Sequence, residues 1–186
     1  VPGFPLHTPE PKLFRYLAVL AKRCSKNGGP QPRLNAGTLM LVPGLQEEDF
    51  NEIADEGIRC FKFIFYPYGE HGSEAQRYVP WCREREIVVK IHTGGVSRSG
   101  LSRPAGIKVI QEIHPDIAGH IAGDPIPMPP DEMKAVVTDT ECYFEIATGG
   151  NFRRTIELME TVHTIGAQGR VILGTDTPSG TGVTPL

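Results

Sequence analysis

Short apolar segments recur along this chain at a nearly constant interval, and between them lie stretches with helical spacing of apolar residues. The segments close near Lys62, His92, His120, Thr148 and Asp176, in steps of 28–30 residues. A β–α–β repeat takes about 30 residues, so the pattern predicts strands at residues 36–42, 60–66, 87–92, 117–121, 142–148 and 170–175. Helices are predicted between and before them, at 12–24, 46–56, 73–86, 104–113, 131–138 and 152–165. The strands are almost continuously apolar, as in CFKFIFY and IVVKIH. A strand buried on both faces has this character, which is the signature of a parallel sheet covered by helices. A closed barrel of eight such units takes about 250 residues. At 186 residues the chain is about two units short, so a fragmentary barrel and a complete six-stranded open sheet both fit.

Composition narrows the function classes. Apolar residues make up 39%, charged residues 22%, and the formal charge is −3, a globular balance with no basic field to draw nucleic acid or an anionic membrane. No apolar run approaches the roughly 20 residues of a spanning helix. Cys24, Cys60, Cys82 and Cys142 form no CxxC pair and read as reduced thiols of a cytoplasmic protein. Val1 is not an initiator methionine, and the chain stops in the loop TPSGTGVTPL. The expectation is a single domain over 1–186, truncated at both ends.

Ligands of parallel α/β proteins bind at the C-terminal ends of the strands. Lys62, His92, His120 and Asp176 occupy those ends. Two histidines one repeat apart would meet at one rim, and imidazole is the commonest protein ligand for divalent transition metals. Asp176 either caps the turn that follows it or binds a metal and moves a proton. Lys62 lies inside an aromatic strand, where a bare ammonium is costly to bury. It is either an edge lysine or an amine able to form a carbamate that bridges two ions. Lys90 competes for that role, because it shares parity with His92. Glu145 and Thr148 lie near the next strand end, and Gly94, Gly95, Arg98, Arg103, Tyr66 and Tyr68 lie in loops on the same rim.

KIHTGG (residues 90–95), GHIAG (119–123) and RVILGTDTPSGTG (170–182) together resemble the amidohydrolase superfamily, and more narrowly its cyclic-amide hydrolases. The resemblance implies an α/β fold, a partial TIM (β/α)8 barrel of about six parallel strands with intervening helices. It implies metal-dependent hydrolysis of a non-peptide C–N bond, in a cyclic amide or enamide, by water activated on one or two divalent ions. Zinc is expected, with iron or manganese as alternatives. By that resemblance Lys62 is the carboxylated bridging lysine at the fourth barrel strand, a position where the family also uses glutamate. His92 and His120 are the ligands at the fifth and sixth strands, and Asp176 is the eighth-strand ligand and catalytic acid/base. Gly94, Gly95, Arg98, Tyr66 and Thr148 are expected to contact substrate.

The family's His-x-His motif is absent from this sequence, which suggests that barrel strands 1 and 2 lie outside it and that the piece alone is inactive. The expected partner is a small-molecule cyclic amide, with neither nucleic acid nor membrane, and the full-length protein is expected to be a homo-oligomer. Two rivals remain: a metal-dependent deaminase or phosphoesterase on the same barrel, and a non-catalytic open sheet that binds a small ligand.

Overall fold

The computed structural model describes residues 11–25, 38–42, 44–63, 68–93, 105–123, 127–147 and 151–174. In chain order the elements are α1 (Pro11–Ser25), β1 (Leu39–Met40), α2 (Glu47–Asp55), β2 (Cys60–Phe63), α3 (Tyr68–Glu84), β3 (Val88–His92), α4 (Ile107–Ile113), β4 (Ile117–Gly119), α5 (Pro130–Asp139), β5 (Tyr143–Ala147), α6 (Phe152–Ile165) and β6 (Val171–Gly174), with a 3-10 turn at Gln168–Arg170 before the last strand. The strands form one sheet in the order β1-β2-β3-β4-β5-β6, and every pairing is parallel. Each helix thus carries the chain from one strand to its neighbour, as the 28–30-residue repeat requires. No pairing joins β1 to β6 among the described residues.

Register divides the sheet into two faces. Phe61 pairs with Val89, Ile91 with Ala118, and Ala118 with Phe144. All five are fully buried; this is the apolar layer that packs with the helices. The alternate residues form the second face: Lys62 opposite Lys90, and His92 opposite Gly119. Side chains alternate across a strand, so Lys90 and His92 lie together on that face. The chemistry-bearing side chains are therefore gathered on one side by strand geometry.

The helix-facing core is anchored by aromatic rings. Phe50 of α2 meets Phe61 of β2 edge-on at 5.1 Å, and Tyr78 and Trp81 of α3 lie 5.6 and 5.5 Å from it. Such pairs add about 0.5–1.5 kcal/mol each beyond the area they bury. Asp49 ties the layers at the N-terminus of α2: Gln46 N donates to its Oδ2 and Arg15 Nη1 of α1 to its Oδ1, both at 2.8 Å. At the other end of the sheet, the Arg170 guanidinium donates to the carbonyls of Val137 and Thr140 and stacks on Phe144.

Three details differ from the sequence reading. α3 begins at Tyr68, not 73, although Gly69 and Gly72 are poor helix formers. His71 therefore lies in a helix and not in a loop. β4 ends at Gly119, so His120 follows the strand instead of lying within it.

Phe50 is fully buried among three aromatic side chains. Phe50→Ala is expected to destabilise the fold by about 3–5 kcal/mol, read as the shift in the urea unfolding midpoint at unchanged slope.

Candidate metal centre

His92 is the last residue of β3, and His120 is the first after β4. Their rings lie 4.8 Å apart, centroid to centroid. Both are buried, at 6% and 3% exposure. Thr93 holds the strand ends together, since its backbone N–H and its hydroxyl both donate to Gly119 O, at 2.9 and 2.8 Å. His120 itself adopts φ = +60°, a left-handed conformation that is rare for a non-glycine residue and that concentrates at functional sites. Its carbonyl accepts from Gly123 N. A Cβ at position 123 would lie 2.6 Å from that carbonyl oxygen, so the tight GHIAG turn requires glycine there.

Lys90 Nζ donates to Glu145 Oε1 at 2.5 Å, with both side chains mostly buried. Glu145 reaches from β5 across β4 to β3, which is possible because the residue between them is glycine. A Cβ on Gly119 would sit 2.8 Å from Lys90 Cε and 3.3 Å from Glu145 Oε2, and one on Gly174 would sit 2.9 Å from Glu145 Oε1. Glu145 Oε2 is buried and accepts no hydrogen bond among the described residues. It lies 3.8 Å from His120 Nε2.

Burial first, and then the positive charges of Lys62 and Lys90, push the His120 pKa down to about 3. The imidazole is therefore neutral at physiological pH, its approach to Glu145 is not an ion pair, and a neutral imidazole is the form that binds metal. The same coupling shows that Lys62, half-buried and in register with Lys90, lies within electrostatic reach of His120.

Of the residues expected at the site, Lys62, His92 and His120 are brought to one face. Asp176, Thr148, Gly94, Gly95, Arg98, Arg103 and Tyr66 lie outside the described residues, as does the side chain of Tyr68. β3 contributes both Lys90 and His92 to this face. Lys90, weighed as an alternative bridge, is committed to Glu145. That partnership was not readable in advance; parity placed Lys90 on the face, but nothing local named its partner 55 positions away.

Among the described residues no group of three or more His, Cys, Asp or Glu side chains is arranged to hold a metal ion. Two adjacent buried imidazoles are ligands of the type divalent first-row cations take, and they are an incomplete ligand set. A groove lined by Arg83, His114, Asp116, Asp139 and Tyr143 opens at the N-terminal ends of β4 and β5, opposite the histidines, where parallel α/β folds do not place their chemistry.

The chain is 31% identical to enamidase from Eubacterium barkeri over all 186 of its residues, which span 48% of that protein. It superposes on a crystal structure of enamidase, described as a member of the amidohydrolase superfamily, with a TM-score of 0.83 at 28% identity, covering 100% of this chain and 48% of the other. This chain is similar to enamidase. Its six parallel strands match the fold of that amidohydrolase-superfamily member, of whose length the chain spans about half. A structure of FabK from Thermotoga maritima superposes loosely, with a TM-score of 0.48 at 14% identity over 90% of this chain and 48% of its own. No protein-family profile matches the chain. No described helix is long and apolar enough to cross a membrane.

Because His120 is neutral when folded and titrates near 6.5 when unfolded, the unfolded chain binds the extra proton between about pH 6.5 and 3. Stability is fully present above that window and declines as pH falls through it. In metal-free protein, His120→Asn should flatten the loss of stability between pH 6.5 and 4, measured by urea unfolding at each pH; parallel curves for both proteins would contradict this placement of His120.

Proposed function

We propose that the intact protein is a metal-dependent hydrolase of non-peptide C–N bonds, acting on a cyclic amide or enamide. The observation that carries the reading is the pair of buried imidazoles, 4.8 Å apart at the C-terminal ends of neighbouring parallel strands, in a chain similar to enamidase along its whole length. His92 and His120 would hold the cation, zinc before iron or manganese, with Lys62 as bridging ligand in its carbamate form and Asp176 as the further ligand. When bound, a divalent ion supplies Lewis acidity and lowers the pKa of water to about 7.

The chain's own residues do the rest. Asp176 takes a proton from the attacking water and returns it to the leaving nitrogen. Gly94 and Gly95 allow close approach of backbone donors. Arg98 and Tyr66 bind polar and ring groups of the substrate, and Thr148 lines the neighbouring strand end. The protein works as a single barrel domain, cytoplasmic and homo-oligomeric.

The test combines metal analysis with turnover. The intact protein should contain bound zinc or another divalent metal and hydrolyse cyclic amides or enamides in preference to amino-substituted rings and phosphate esters. His92→Ala and His120→Ala should each lose the metal. Asp176→Asn should lower kcat by about 10²–10⁴-fold, the usual contribution of general acid–base catalysis. Preference for amino-substituted rings would reassign it as a deaminase, and preference for phosphate esters as a phosphoesterase. A protein that binds no metal and hydrolyses none of these would overturn the proposal.

A further inference from the structure

We propose that Glu145 is the charge-setting residue of the metal centre: it offsets Lys90 and turns a second, uncommitted carboxylate oxygen toward the histidine pair, so that a divalent cation can sit on a face that also carries the Lys90 ammonium. The inference rests on the metal reading above and goes beyond it, to a residue that is not one of the four expected ligands.

The register of β2 with β3 sets Lys62 directly opposite Lys90, on the face that carries His92. Lys90 carries an ammonium in a poorly hydrated layer, and its charge opposes any further positive charge there. A divalent ion on the two imidazoles meets that opposition in proportion to its charge, since Coulomb energy scales with charge. Glu145 is the one carboxylate among the described strand residues. Its Oε1 takes Lys90 at 2.5 Å. Its Oε2 is shielded from solvent, receives no hydrogen bond among the described residues, and lies 3.8 Å from His120 Nε2. A buried carboxylate oxygen left in this state is costly unless something positive faces it. A cation held by the two imidazoles would face it.

Gly119 and Gly174 reinforce the reading. Both lack the side chain that would occupy the path of Glu145, so two neighbouring strands leave room for one carboxylate to reach across. Glu145 is thus a positioning residue that acts through Lys90 and His120, and its substitution should alter metal affinity as well as stability.

The test measures zinc affinity of the intact protein by competition with a chelating dye, with thermal unfolding of the metal-free protein followed in parallel. Four forms are compared: the unaltered protein, Glu145→Gln, Lys90→Met and the double variant. Glu145→Gln should weaken zinc binding about 10-fold or more, the range seen for residues that orient and tune metal ligands. Lys90→Met should tighten it, because a positive charge is lost and the carboxylate is released toward the ion. The double variant should fall between the two single variants.

A merely structural ion pair predicts instead that both single variants lower the melting temperature while zinc affinity stays within about twofold; that result overturns the inference and leaves the metal reading intact. If Glu145→Gln does not fold, Lys90→Met decides, and affinity equal to or weaker than that of the unaltered protein overturns the inference. Absence of zinc binding by the unaltered protein overturns the metal reading and this inference together.

Discussion

The ion pair between Lys90 and Glu145 spans three strands, and it exists because the middle strand contributes no side chain at the crossing point. With Gly119 in β4, the carboxylate of β5 reaches the ammonium of β3 at 2.5 Å. Any larger residue at 119 would separate the two charges and leave both in a layer where neither is fully hydrated. Removing one member of a buried pair typically costs about 3–5 kcal/mol, because the other remains uncompensated. The rest of the polar face follows from this crossing. Once Lys90 and Glu145 are joined, Glu145 Oε2 falls beside His120, and the chain must leave β4 at once to keep that imidazole next to His92.

Two local features accomplish this. Thr93 makes a double hydrogen bond to Gly119 O, which ties the end of β3 to the end of β4 and fixes the separation of the histidines. His120 then turns through a left-handed conformation, at a cost of about 1–3 kcal/mol for a residue with a Cβ. Strain of that size is retained only where surrounding contacts hold it, and here the Gly123 hydrogen bond and close-packed turn do so. Precise placement of the two imidazoles and local backbone strain are thus parts of the same construction, built on an apolar layer that is conventional in its packing.

Much of this was legible in the sequence because it follows from periodicity. A strand alternates its side chains, and a parallel sheet in register keeps alternate residues of all its strands on common faces. The apolar segments and their spacing therefore located the six strands and set His92, His120 and Lys62 at the same end of the sheet. Boundaries were less legible: YGEHGS reads as a helix breaker by propensity, yet α3 starts inside it, and the apolar run through GHIAG hides the turn at His120. The partnership of Lys90 was the least legible. It depends on the volume missing at Gly119 and Gly174, and the effect of a missing side chain appears only when three strands are assembled. Asp176 and the loop residues expected to contact substrate were readable as motifs, and they lie outside the described residues.

The distribution of these groups along the chain carries a further consequence. This chain spans about half the length of the enamidase that it matches, and the charge balance on its polar face is contained within three neighbouring strands. Lys90, Glu145, Gly119 and both histidines all belong to β3, β4, β5 or the residue that follows β4, three successive strands whose pairing is complete among the described residues. The electrostatic frame of this face is therefore set within this span. A sheet that builds such a frame from contiguous strands can change the loops around it while keeping a layer in which a carboxylate offsets a lysine and two buried imidazoles face the same space.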